Sequence, residues 1–236
     1  EGGIFKRDWF PIIDWKQEYS NLVWNFVVDT AYTENEDNDP SGYIAYAEYE
    51  NDFIIRKAEA EHLEFPALCK ALPTFAHLNG YSRRSIVEIE PKASGKSLVQ
   101  TLKKETKLNC KEGVPPAKDK TARAKDSSPT CEAQRVKLIR GLWNKPFLDQ
   151  LTTFPNAAHD EYVDCVTMMV GGKKPNGWGL YDLHGNVLEW CQDWYGDYPS
   201  SSLTNPTGAA LRQHRVFRGG CYYIDSVICR SAYRRF

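Results

Sequence analysis

Long apolar runs are missing from this chain. No stretch of about 18 consecutive apolar residues occurs, so nothing reads as a membrane-spanning helix. Charge of one sign is missing too: a net charge of −1 predicts neither nucleic acid nor an anionic membrane as partner. The seven cysteines include no Cys-x-x-Cys pair, which removes zinc ribbons and thioredoxin-type redox motifs. Their odd number leaves at least one thiol free if the others pair. No Gly-x-Ser-x-Gly elbow, phosphate-binding loop or internal repeat is found.

What is present is a chain of 236 residues, 42% hydrophobic, enough for a packed core and for one large domain or one domain with insertions. Aromatic residues make up 13%, which suits a loop-rich domain pinned by large rings or a binding surface. Residues 1–19 read as a short strand or loop that packs its rings on the body. Ser20 is a candidate N-cap for a helix over Asn21–Thr30, broken by the acidic turn-rich stretch Glu34–Ser41. Tyr43–His62 places Ile44, Ala47, Phe53, Ile54 and Ala58 at near-helical intervals and predicts a second helix. Residues 91–130 are rich in Lys, Ser, Pro and Thr and read as a surface insertion with little core. The insertion's lysines, without interleaved aromatics, read as a solvated loop and not a nucleic-acid site. Val136–Leu148 reads as helix or strand, ending near Pro146. Beyond Val170, dense Gly, Trp, Asn and Asp predict short strands joined by irregular turns.

One ordered series of motifs carries the functional information. It opens with Lys174-Pro-Asn-Gly-Trp-Gly-Leu-Tyr-Asp-Leu-His-Gly-Asn-Val-Leu-Glu-Trp-Cys191. Asp193-Trp-Tyr195, Asn205-Pro-Thr-Gly208, Arg215-Val-Phe-Arg-Gly-Gly220 and Cys229-Arg-Ser-Ala232 follow in order. Over about residues 170–236 this series resembles the formylglycine-generating-enzyme (sulfatase-modifying-factor) family. The resemblance implies an α+β, C-type lectin-like fold: a small twisted antiparallel sheet, two helices and much irregular structure. It implies a single such domain over 1–236. Trp178, Trp190 and Trp194 would fill its core, and Arg218 and Arg230 would fork onto carboxylates such as Glu189 or Asp193.

The oxidising members of that family carry two cysteines after the Arg-Gly-Gly-Ser motif. Aligned on Arg218-Gly219-Gly220, the second falls on Cys229 and the first on Ile224, which has no thiol. The paired-cysteine oxidase chemistry is therefore not expected, and the chain is read as a binder and not an enzyme. An oxidase or other enzyme of the same fold is the alternative.

Residues 214–236 also resemble the variable region of proteins diversified by retroelements. That resemblance implies a variable ligand-binding segment at about 214–233, formed by His214, Phe217, Cys221, Tyr222, Tyr223, Ile224, Asp225, Val227, Ile228 and Tyr233. Its ligand would be a protein or a glycan. The same resemblance implies a cell-surface, outer-membrane lipoprotein, held to the membrane only by an upstream lipid anchor. Physically, Tyr222-Tyr-Ile224 and Val227-Ile228 lack the polarity alternation of a half-buried strand and suit an exposed contact surface, with a fully buried strand the alternative. No cofactor is required, with calcium the one option. Some family members bind that ion at the Gly-Asn-Val-x-Glu-Trp turn, which carries to Asp182, Gly185, Val187 and Glu189, whose oxygens are hard ligands.

Overall fold

The computed structural model describes residues 3–31, 39–91, 93–171, 189–196 and 214–218. The chain separates into two compact units, Glu1–Gly172 and Lys173–Phe236.

The first unit is built on a seven-stranded mixed sheet. Its strands are β1 (Ile12–Ile13), β2 (Asn25–Asp29), β3 (Ser41–Tyr49), β4 (Asp52–Glu61), β5 (Val87–Ile89), β6 (Cys110–Glu112) and β7 (Val136–Ile139). The spatial order is β1-β7-β4-β3-β2-β5-β6, and β3 alone runs against both of its neighbours. The helices are α1 (Phe65–Leu78), α2 (Ala93–Glu105), α3 (Lys120–Glu132), α4 (Asn144–Thr153) and α5 (Glu161–Gly171).

Alternate strand residues feed two separate cores. Val27, Ile44, Ile55, Val136 and Leu138 pack with Ala124 and Cys131 of α3, Phe147 and Leu151 of α4, and Val163 and Val166 of α5. Phe26, Val28, Tyr43, Ala45, Ile54 and Ile89 pack with Leu68, Leu72 and Phe75 of α1 and Leu98 and Leu102 of α2. Three layers result, with helices on both faces of the sheet.

Several expectations are corrected here. The helix expected over Tyr43–His62 is the β3–β4 hairpin. Its two-residue turn, Glu50-Asn51, has positive φ at both positions (50° and 71°), the signature of a type I′ turn matched to strand twist. A strand covered on both faces loses polar alternation, which is why β3 read as helical. The helix expected over Asn21–Thr30 is a 3₁₀ turn (Gln17–Asn21) followed by β2. The stretch 91–130 is not an insertion lacking core. It holds α2, β6 and most of α3, with Leu98, Val99, Leu102, Leu108 and Cys110 buried. On α3 the buried face is made of Ala124, Ser127 and Cys131, small residues that leave no apolar periodicity to read. Pro146 does not end an element; it sits in the first turn of α4, where a missing N–H costs nothing.

In the second unit, β8 (Glu189–Trp194) pairs antiparallel with β9 (Arg215–Arg218), with a register irregularity between Trp190 and Trp194.

Candidate functional site: a buried carboxylate cluster

The first unit gathers three carboxylates where its parallel strands end. Asp29 is the last residue of β2. Glu90 follows β5 directly, and its N–H donates to the Val28 carbonyl at 2.9 Å, which locks the two strand ends side by side. α5 packs across β2 and β3 and supplies Asp164. A ligand oxygen from each of Asp29, Glu90 and Asp164 lies within 4.8 Å of the others. All three residues are buried, at 7%, 2% and 0% exposure. Open sheets of this kind place ligands beyond the carboxyl ends of their strands, at this edge.

The close approach of α2 needs glycine. A Cβ on Gly95 would lie 1.9 Å from the Glu90 carbonyl oxygen, so a larger residue would push α2 off the strand end that carries Glu90.

Three like charges this close are costly in a buried site, and α3 answers them. Lys120 Nζ lies 2.8 Å from Asp164 Oδ2 and 2.5 Å from Asp160 Oδ1. Arg123 Nη2 donates to Asp164 Oδ1 at 2.7 Å, and its Nη1 lies 3.9 Å from Glu90 Oε1. Asp119 caps α3 by accepting from the Ala122 N–H at 2.9 Å, which fixes the turn that aims both cations inward. Burial and the neighbouring Asp29 carboxylate push the Asp164 carboxyl up, against the opposing pull of Lys120 and Arg123. Burial acts to lower Lys120, but Asp160 and Asp164 outweigh it and hold the ammonium above its ordinary value. Cys165, next to Asp164, is inert by the same logic: burial first, then Asp29, pushes its thiol far up, and its Sγ lies 3.4 Å from the Gly42 carbonyl.

Sequence reading missed this site. The available signal was an acidic residue closing or interrupting each of three short apolar runs: Asp29 after Phe26-Val-Val28, Glu90 after Val87-Glu-Ile89, and Asp164 in Tyr162-Val-Asp-Cys165.

The residues named from sequence lie in the second unit. His214 is exposed immediately before β9, its carbonyl accepting from the Tyr195 N–H at 2.8 Å. Phe217 is half-buried on β9, opposite Trp190, and Val216 beside it is buried. The register sets Arg218 opposite Glu189. Trp194 is half-buried, with the Arg215 guanidinium 3.8 Å above its ring centroid. Cys221, Tyr222, Tyr223, Ile224, Asp225, Val227, Ile228 and Tyr233 lie outside the described residues, as do Asp182, Gly185 and Val187 of the proposed calcium turn.

The fold and the cluster together define the class: a three-layer α/β unit with an acidic centre at the carboxyl edge of its sheet. Comparison with known proteins agrees on the fold. The large terminase nuclease of thermophilic phage G20c with bound magnesium superposes with TM-score 0.54 at 12% identity, covering 72% of this chain and 97% of that one. The human cytomegalovirus terminase nuclease domain gives 0.51 at 13% identity, covering 72% and 94%. In sequence, residues 77–170 match the terminase RNaseH-like domain.

Residues 137–236 match the sulfatase-modifying factor enzyme 1-like domain. The chain is 47% identical over 72 residues to the serine/threonine-protein kinase pkn1 of Chlamydia pneumoniae, covering 29% of this chain and 12% of that protein. It is 38% identical over 76 residues to the formylglycine-generating enzyme of Streptomyces coelicolor, covering 31% and 24%. The chain thus spans about a quarter or less of the length of these relatives. The C-terminal segment is therefore similar to the formylglycine-generating-enzyme family, as the motif series from Lys174 predicts. The expectation of a lectin-type fold does not extend to residues 3–171, where the sheet is seven-stranded and mixed instead of small and antiparallel. The two family matches overlap on 137–170, and there the structure is unambiguous. β7, α4 and α5 supply Leu138, Phe147, Leu151, Val163 and Val166 to the core of the first unit.

Proposed function

We propose that the first unit is a divalent-metal-dependent nuclease, hydrolysing phosphodiester bonds at Asp29, Glu90 and Asp164. The observation that carries this reading is the convergence of three buried carboxylates within 4.8 Å at the carboxyl edge of an RNase H-like sheet. The donor set fits the ion: all-carboxylate oxygen ligands suit a hard divalent cation such as Mg²⁺ or Mn²⁺. Asp29, Glu90 and Asp164 would hold such an ion, which would supply Lewis-acid polarisation of the phosphodiester and a lowered water pKa. The structural neighbours include terminase nucleases solved with magnesium, manganese, cobalt and zinc, which supports a divalent ion at this site. The expectation of no nucleic-acid partner rested on whole-chain charge and on the lysines of 91–130, neither of which bears on a local acidic centre. The test is cleavage of plasmid DNA by the full chain with Mn²⁺. Asp164→Asn should lower the rate by about three orders of magnitude. Equal cleavage by wild type and variant would sink the assignment.

We infer a separate role for the C-terminal unit: binding, with no oxidase chemistry. The specific observation is Ile224 at the position where the similar oxidases carry their first cysteine. In this reading Phe217, Tyr222, Tyr223 and Ile224 belong to a variable contact face for a protein or glycan, of the retroelement-diversified kind. Asp182 and Glu189 offer oxygens for a calcium ion. Replacing Tyr222, Tyr223 and Ile224 together by Ser should leave the Tm within about 2 °C and abolish binding to a ligand found by glycan and protein array. Turnover of a cysteine-containing sulfatase peptide with copper and oxygen would contradict it.

A further inference from the structure

The two cations of α3 do not share the carboxylates evenly, and the asymmetry has a chemical meaning. Lys120 touches Asp164, a member of the metal set, and also Asp160, which is outside it. Arg123 touches Asp164 and Glu90, and both belong to the set. A divalent ion taking Asp164 and Glu90 leaves Lys120 a carboxylate to fall back on. It leaves Arg123 none of the partners it has here.

We propose that Arg123 is the substrate-phosphate ligand of this site, held in reserve by the metal carboxylates and released when the ion takes them. The inference rests on the nuclease reading above. Glu90, Asp160 and Asp164 pair with Lys120 and Arg123, and Asp29 lies beside Glu90 and Asp164, so the cluster's four carboxylates and two cations leave two formal negative charges, the charge of one divalent ion. Once that ion is bound, a guanidinium beside it is repelled unless a new anion arrives. A phosphodiester supplies that anion, and its paired oxygens match the guanidinium fork. The Arg123 side chain is 19% exposed, buried enough to be held in place and open enough to reach a ligand at the mouth of the cluster. Lys120 stays on Asp160, where it keeps the start of α5 neutralised. Ion loading and substrate binding are thereby coupled: metal binding frees the group that recognises the phosphate, and the phosphate settles the group that metal binding displaced.

The experiment measures Mn²⁺ binding to the full chain by isothermal titration calorimetry without nucleic acid, and the KM and kcat for cleavage of a 20-base-pair duplex. Arg123→Gln removes a competitor for the carboxylates, so Mn²⁺ should bind about tenfold tighter, the scale of one charge-assisted hydrogen bond. The same variant should raise KM at least about tenfold. Arg123→Lys keeps the charge and loses the fork; it should hold near-wild-type Mn²⁺ affinity and still raise KM. Lys120→Gln should change KM by less than about threefold. A folded Arg123→Gln that binds Mn²⁺ no tighter, or an Arg123→Lys with wild-type KM, overturns the proposal. Wild type that binds no Mn²⁺ overturns the nuclease reading itself, a result visible before any variant is made.

Discussion

Glu161 shows how one residue at the start of α5 tunes the first unit. It is 3% exposed, accepts from Gln150 Nε2 at 2.7 Å through Oε1, and has no hydrogen-bond partner at Oε2 among the described residues. Gly42 makes room for it, since a Cβ there would fall 2.6 Å from Glu161 Cγ. Burial, above all, pushes the Glu161 carboxyl up from its ordinary value of 4.5. The native state therefore holds a proton over a pH range in which the unfolded chain has lost it. Stability falls as pH rises from about 4.5 through the folded value, and the deficit persists above it. Glu161→Gln keeps the Gln150 contact and cannot ionise. It should raise the Tm by about 2–4 °C at pH 8 and leave it nearly unchanged at pH 4. Melting curves at the two pH values check this, and an equal shift at both would refute the burial argument.

At the scale of elements, the β3–β4 hairpin is the centre of the sheet, and its turn is not ideal. Both turn residues have positive φ, yet the first is Glu50, a residue that gains nothing from the left-handed region. Asn is favoured at that position of a type I′ turn, so Glu50→Asn should stabilise the fold by about 0.5–1 kcal/mol in urea titration at unchanged slope. How far these elements were legible follows from the same physics. β2, β3 and β4 are central strands covered on both faces, and their near-continuous apolar character imitates a helical stripe. α3 hid because its buried face is Ala, Ser and Cys, so packing against α5 relies on closeness and on the Arg123–Asp164 pair more than on apolar bulk. The carboxylate cluster was illegible as a consequence. Asp29, Glu90 and Asp164 meet only once the strand order places β2 beside β5 and lays α5 across them, and without the strands there was no edge on which to place them. The C-terminal motifs were legible because they are local: glycines, tryptophans and turn residues at fixed spacing, with Glu189 and Arg218 falling opposite each other when β8 and β9 pair.

At the scale of the whole chain, two sequence likenesses meet on one polypeptide, and the core composition decides where one ends. Both hydrophobic cores are assembled from residues between Phe5 and Met169, including β7, α4 and α5, which the sulfatase-modifying-factor match also claims. A fragment ending at Gly172 keeps every member of both clusters and all three cluster carboxylates. Independent folding is the expectation for a unit of this size with its own core. The fragment 1–172 should therefore melt cooperatively, and calorimetry of the full chain should resolve a transition at the same temperature. Its Mn²⁺ affinity should match that of the full chain within about twofold, because no residue argued to hold the ion lies beyond Asp164. A fragment cut at residue 136, the boundary that the C-terminal family match would suggest, loses β7, α4 and α5 and with them Asp164. It should be unfolded by circular dichroism and bind no Mn²⁺. If the fragment ending at Gly172 were unfolded as well, the first unit would depend on residues beyond α5, and the division of the chain at Gly172 would have to be abandoned.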